Sequence, residues 1–304
     1  MPTTAPTSGG PDTWTRVEGR RLGGARINAI AYGNNRFVVV GRAGGIAYST
    51  DNGVSWTTVA DSTFGTESIM TIAYGNNRFV AGGYNGKIAY SADGVSWTAV
   101  AYNGFSTTST DGINAIAYGN NRFVAGGYNG KMAYSADGIN WTAVANSTFG
   151  DSGIGAIAWG NNRFVAGGGN DKMAYSADGI RWTAVDVTNK FGTSWNAIYA
   201  IAYGNNRWVA GSAGGKLAYS ADGVSWTSSS NSGSLESVTA IAFGNNRFVA
   251  VGDYGGIAYT ADGVRWTAVA DSAFNYLEML KAVAYGNGRF VAGSDEGTMA
   301  YADW

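Results

Sequence analysis

Two phrases that recur in step along the chain, a last copy left unfinished, and a spare strand at the opposite terminus predict the fold class. It is all-β: a single seven-bladed β-propeller with four antiparallel strands per blade. One phrase is "YSADGVSWT", at residues 90–98 and again at 219–227, with close variants beginning at Tyr48, Tyr134, Tyr175 and Tyr259. The other is "YGNNRFV" at Tyr32, with variants at Tyr74, Tyr118, Trp159, Tyr203, Phe243 and Tyr285. Its glycines (Gly33, Gly75, Gly119, Gly160, Gly204, Gly244, Gly286) stand 40 to 44 residues apart. A period of roughly 40–45 residues holding several short strands is that of a propeller blade.

Residues 112–145 show one unit in order. "INAIAY" reads as the first strand, and Gly-Asn-Asn turns the chain into "RFVAGG", the second. "YNG" turns it into "KMAYSA", the third, and Asp137-Gly138 is expected to close a tight type I′ hairpin into "INWTAV", the fourth. Asn52, inserted in the first copy ("STDNGVSW"), predicts a three-residue loop there. No helical period competes with the alternation. Ala and Gly fill the first two strands while Tyr and Trp fill the last two, which suits a wedge that widens away from an axis. The repeated tryptophans Trp56, Trp97, Trp141, Trp182, Trp226 and Trp266 are therefore read as core.

The seventh unit ends at "AYADW" without a fourth strand, and the N-terminus supplies "DTWTRV" with no strands before it. The ring closes if residues 14–17 pair onto the last blade as its outer strand, which hides an edge and ties the termini together. The expected organisation is a disordered leader over 1–11, which holds all three prolines, and a propeller over 12–304. Blades are expected near 27–60, 69–101, 113–145, 154–186, 198–229, 238–270 and 280–304 plus 12–17.

Composition narrows function by exclusion. The 304 residues are 45% hydrophobic and 13% charged with a net charge of −1, so no basic excess exists to neutralise a nucleic-acid backbone. No stretch is long and apolar enough for a membrane span, and the first residues lack a signal-peptide core, which favours the cytoplasm by default. Cysteine and histidine are both absent, which removes disulfides, thiol nucleophiles, His-based triads and ordinary zinc sites. No cofactor, metal site or catalytic residue is assigned, and a monomer is expected.

The "S-x-D-(x)-G-x-x-W-T" phrase resembles the Asp-box, or BNR repeat, of sialidase-like propellers, over nearly the whole chain after residue 11. The first copy keeps the full spacing; the others drop one residue between Asp and Gly, Thr260 replaces Ser in the sixth, and the seventh lacks Ser and Gly. The resemblance implies structural roles for Asp51, Asp93, Asp137, Asp178, Asp222 and Asp262, in turns away from the functional face. It does not extend to the sialidase catalytic set. Arg36, Arg78, Arg122, Arg163, Arg207, Arg247 and Arg289 recur once per blade, as scaffold residues do, and no motif marks a Tyr–Glu pair.

Differences among the copies point to the candidate site. They concentrate in the loops between blades, the turns between second and third strands, and one position near the start of the first strand. Strand alternation puts all three on one face, around the mouth of a central channel. The first-strand position reads Asn28, Met70, Asn114, Gly155, Tyr199, Thr239 and Lys281. The candidate ligand residues are Asn28, Arg42, Tyr84, Asn85, Asn114, Tyr128, Asn129, Trp195, Tyr199, Asp253 and Tyr254. Phe64, Phe105, Phe149, Phe191 and Phe274 are read as wedges that pack the inter-blade loops down. Arg20, Arg21, Arg26 and Arg42 in blade 1 face Glu278, Asp295 and Glu296 in blade 7, and these charges are expected to pair across the seam rather than bind an anion.

Tyrosines, asparagines and a lone tryptophan suit stacking on sugars and hydrogen-bonding to hydroxyls. The leading expectation is a non-enzymatic, lectin-like binding module whose partner is a glycan or a protein surface. The alternative is a protein-interaction or purely structural propeller, recently amplified or engineered from one repeat, with no small-molecule ligand.

Overall fold

The computed structural model describes residues 13–18, 22, 25–101, 104–105, 111–192 and 197–304. The expected leader, residues 1–11, lies outside the described residues. Seven four-stranded antiparallel sheets form the ring. In blade 3 the strands are Ile113–Gly119, Arg122–Gly127, Met132–Ser135 and Thr142–Ala143, paired in that order.

The last sheet is completed by the N-terminus: Thr15–Arg16 lies against Met299–Asp303 as the outer strand. Its register, Thr15↔Tyr301 and Arg16↔Ala300, repeats that of Thr98↔Tyr90 and Ala99↔Ala89 in blade 2. The flanking Trp14 and Val17 are buried, and Val17 N–H donates to Met299 O at 2.9 Å as Val100 N–H does to Ile88 O. The closing segment thus occupies the same slot as every other "WTxV" strand.

Two local expectations need correction. The fourth strand is short: Thr142–Ala143 rather than all of "INWTAV", with three residues only in blade 4, Thr183–Val185. The turn before it is correspondingly long and is not a type I′ hairpin. Gly138 has φ +74°, but Asp137 is not left-handed, whereas a type I′ turn needs positive φ at both centres. Asp137 is occupied otherwise: its carboxylate accepts from the Ile139 and Asn140 amides at 2.9 and 2.8 Å and from the Ser135 hydroxyl at 2.9 Å. The type I′ geometry belongs instead to Asn120-Asn121 (φ +47° and +54°) and its counterparts, which join first and second strands through two residues. In blade 1 the extra Asn52 is accommodated at φ +63° beside Gly53.

The Ser-x-Asp turns share one network. Gly94 N–H donates to Ser91 Oγ at 2.8 Å, Val95 and Ser96 N–H donate to Asp93 at 2.8 Å, and the Trp97 indole donates to Gly94 O at 3.3 Å. Burial would raise the Asp222 carboxyl, but the Ser225 and Val224 amides and the Ser220 hydroxyl outweigh it and bring the group down to about 2. Each repeated arginine is held by scaffold partners. Arg122 stacks over the Tyr134 ring at 5.2 Å and donates to the Asp178 carbonyl in the next blade; Arg289 reaches Asn52 O of blade 1 at 3.0 Å.

The core lies between blades. Among the described residues it divides into seven clusters, one per blade–blade interface, including the seam where Ile27, Phe37 and Trp56 meet Ala282, Val291 and Met299. The glycines of the "YGNNRFV" phrase set the blade spacing: a Cβ on Gly119 would lie 2.0 Å from Trp159 Cγ, and one on Gly286 the same distance from Tyr32 Cγ. Each aromatic docks flat on the preceding blade's glycine, right round the ring. Phe64, Phe105, Phe149 and Phe191 are buried under their loops and Phe274 is partly buried; Leu22 and Leu235 fill the two interfaces that lack a phenylalanine.

Candidate binding face at the channel mouth

A β-bulge near the start of the first strand builds the channel lining. In blade 3, Ile113 pairs with Gly127 and Ala115 with Gly126, so Asn114 is the extra residue, and the same shift occurs in every blade except the sixth. A bulge re-aims its extra side chain, here toward the axis. Asn28, Met70, Asn114, Gly155, Tyr199, Thr239 and Lys281 all line an inner cavity of 240 Å³ and a mouth cavity of 430 Å³, the latter joined by Arg26 and Tyr128.

Three of these side chains already serve the scaffold. Asn28 Nδ2 donates to Ile69 O at 2.8 Å, Asn114 Nδ2 to Ile154 O at 3.4 Å, and Thr239 Oγ1 to Leu280 O at 2.5 Å. Each links one blade to the next at the rim. Asn28 and Asn114 therefore keep their carbonyl oxygens for a ligand and offer fewer donors than their identities imply.

The turns between second and third strands stand above this ring. Tyr84 and Tyr128 face each other with centroids 6.5 Å apart and planes tilted by 38°. Burial, then Tyr84 and more weakly Tyr199, raise the Tyr128 phenol above its ordinary range. Asn85 and Asn129 sit at φ +56° and +53°, the same left-handed turn position as Ala43, Asn170 and Tyr254. Asparagine tolerates that conformation, so a backbone requirement explains the asparagine of each matched Tyr-Asn pair.

On the far side, Lys281 Nζ lies 3.7 Å from Asp253 and Arg42 is exposed. Tyr254 stacks on Tyr276 at 4.7 Å and 16°. Tyr276, 71% exposed, and Leu277, 85% exposed, were missed by comparing repeats, although "NYLEM" is the one inter-blade loop carrying such a run. Trp195, Arg20 and Arg21 lie outside the described residues. At the seam Arg26 pairs with Asp295 at 3.7 Å, and Glu278 is engaged by Arg16 of the closing strand at 3.4 Å.

Asp51, Asp93, Asp137, Asp178, Asp222 and Asp262 all lie in the turns between third and fourth strands, none of them at either channel cavity. Among the described residues no cluster of three or more Asp or Glu is placed to hold a metal ion, and no helix is long and apolar enough to cross a membrane.

No protein-family model matches this sequence, and no curated protein does. Solved structures do match in fold. YCF48 bound to D1 peptide superimposes with a TM-score of 0.75 at 16% identity, covering 96% of this chain and 97% of that one. The WD40 repeats of RRP9 give 0.71 at 10% identity, covering 95% and 97%. The computationally designed Ika8 protein gives 0.63 at 17% identity, covering 94% and 100%. At such identities the likeness establishes the architecture, and the chain is a seven-bladed β-propeller.

Proposed function

We propose that this propeller is a non-catalytic protein-interaction module that grips a peptide segment of its partner at the channel mouth. The observation that carries this reading is the tyrosine group Tyr84, Tyr128 and Tyr199 beside a 430 Å³ cavity whose nearby side-chain donors already link blades. A sugar needs an open aromatic face and several unengaged donors and acceptors around it. Here Tyr84 and Tyr128 lie against each other, and Asn28, Asn114 and Thr239 donate to neighbouring blades. An extended peptide brings its own N–H and C=O groups and gains from amphipathic tyrosines on either side. The peptide-bound YCF48 structure supports such use of this architecture, as fold analogy. The Ser-x-Asp turns we read as kin to Asp-box turns, with a purely structural role, and the working unit as a monomer.

The test is selection of peptides from a random displayed library against the immobilised protein, followed by titration of the winners. Tyr84→Ala, Tyr128→Ala and Tyr199→Ala should each weaken binding by about 1–2 kcal/mol, as aromatic anchors at interfaces do. Peptides that bind the triple variant equally well overturn the site. Failure to select any peptide, with hits on a glycan array, would return the face to carbohydrate recognition; silence in both would leave a structural ring.

A further inference from the structure

Three clefts occupy corresponding places in blades 4, 5 and 7, each between the preceding inter-blade loop and that blade's own third and fourth strands. Their chemistry differs. The blade 4 cleft includes Asp171 and Asp186, and the blade 7 cleft includes Glu18, Glu278 and Glu296. The blade 5 cleft, 710 Å³ in volume, is lined by Lys190 and Lys216 and, among the described residues, by no carboxylate.

The repeat shows that Lys216 is not a strut. Lys216 follows the second turn of its blade, as do Lys87, Lys131 and Lys172. Lys87 and Lys172 donate to the loop carbonyls of Phe64 and Phe149 at 3.1 and 2.7 Å, and Lys131 pairs with Asp111 at 2.6 Å. Lys216 makes no such bond among the described residues. Lys190 engages its neighbours through its backbone carbonyl, which accepts from Ser228 Oγ at 2.9 Å. Its charge is felt by Asp186, but that carboxylate is bonded to Thr188 and faces the blade 4 cleft.

Half of the lining residues come from "SSSNSGS", residues 228–234. Ser228, Ser229 and Ser230 donate their protons to the carbonyls of Lys190, Gly263 and Val264 at 2.9, 2.8 and 3.1 Å, so their hydroxyl lone pairs remain available as acceptors. A second, independent feature marks the same wall. In five blades the repeated tryptophan (Trp56, Trp97, Trp141, Trp182, Trp226) donates its indole N–H to a turn glycine carbonyl. In blade 6 Ser229 takes the equivalent acceptor, Gly263 O, and the buried indole N–H of Trp266, a residue that also lines the cleft, has no partner among the described residues.

We propose that this cleft binds a small anionic polyol, a phosphate or sulfate ester carried on a sugar-sized hydroxylated body. Lys190 and Lys216 hold the oxyanion, and the serine oxygens of residues 228–234 accept from the ligand's hydroxyl groups. The site is distinct from the channel mouth and does not depend on the peptide reading.

Isothermal titration of the full chain with glucose 6-phosphate, glucose 6-sulfate, inorganic phosphate and glucose tests this. Both esters should bind more tightly than inorganic phosphate, with neutral glucose silent and affinity falling as salt rises. Lys190→Gln and Lys216→Gln should each weaken ester binding by about tenfold, while Lys172→Gln, at the corresponding place in blade 4, should leave it unchanged. Binding that survives the Lys190→Gln/Lys216→Gln pair, or no heat from either ester, overturns the site. Equal affinity for inorganic phosphate and the esters overturns the polyol half of the assignment.

Discussion

Replacing Gly119 with alanine isolates the contact that spaces the blades. Gly119 is not in a left-handed conformation, so backbone strain plays no part. At such positions Gly→Ala ordinarily stabilises by about 0.4–1 kcal/mol, because the unfolded chain loses freedom. Here the new Cβ would sit 2.0 Å from Trp159 Cγ, 2.2 Å from Cδ2 and 2.6 Å from Cβ. These are root atoms of the indole, so a change of rotamer at the tip cannot relieve the overlap. Either blades 3 and 4 part or Trp159 leaves its place against Phe164, 4.6 Å away. Overpacking of this kind costs about 1–3 kcal/mol, which reverses the sign expected from entropy alone. The assay is a double-mutant cycle in urea with Trp159→Ala. Removing the indole should return Gly119→Ala to neutral or mildly stabilising, with a coupling of at least about 1 kcal/mol. If Gly119→Ala proves neutral in the parent, or equally costly without the indole, the docking account of blade spacing is wrong.

Two further outcomes follow from the closure and the turns. Trp14→Ala should cost about 3–5 kcal/mol, because Trp14 is 3% exposed within the blade 6–7 core; Arg16→Ala should cost under about 1 kcal/mol, since its Glu278 pair leaves the arginine 44% exposed. Thermal melts and hydrogen exchange over Met299–Asp303 separate the two, and equal losses would refute a hydrophobic latch. For acid stability, Asp51, Asp93, Asp137, Asp178, Asp222 and Asp262 all lie below the ordinary 3.8, Asp222 at about 2. Groups depressed in the folded state stabilise it fully above their unfolded value and cease to do so as pH falls through the folded one. Melting temperature should therefore be level with respect to these groups above pH 3.8 and decline toward pH 2; a flat profile across that window would show that the turn carboxylates contribute nothing.

Much of the candidate face could be anticipated because the chain is its own alignment. Positions that every blade must share, such as the tryptophans and the turn aspartates, repeat; the channel position varies from Asn28 through Tyr199 to Lys281 because its side chain lines the channel and not the packed interface between blades. The same comparison does not reveal the structural roles the asparagines also play. Asn85 and Asn129 repeat for their tolerance of positive φ, and the amides of Asn28 and Asn114 reach carbonyls in the next blade. A type I′ turn was assigned to Asp137-Gly138 although Asn120-Asn121 adopts it, because carboxylate capping competes with backbone geometry in a way that a dipeptide does not reveal. Tyr276 and Leu277 escaped notice for a different reason: the inter-blade loops are compared through the phenylalanine they share, Phe274 here, and not through the residues that follow it.

By itself the amino-acid order determined the number of blades, the strand sequence within each, and the terminus that completes the ring. Those properties rest on periodicity and on the need of a sheet edge for a partner, both local and countable. Only the tertiary structure decided which side chains remain open to a ligand. Whether Asn28 points at a neighbour's carbonyl, or whether Lys216 has among the described residues the loop partner that Lys172 has, depends on atoms supplied by a neighbouring blade or loop, 41 residues away for Asn28 and 23 for Lys172. Such distances are set by how the wedges pack, with each aromatic seated on the preceding glycine, and no reading along one strand contains them.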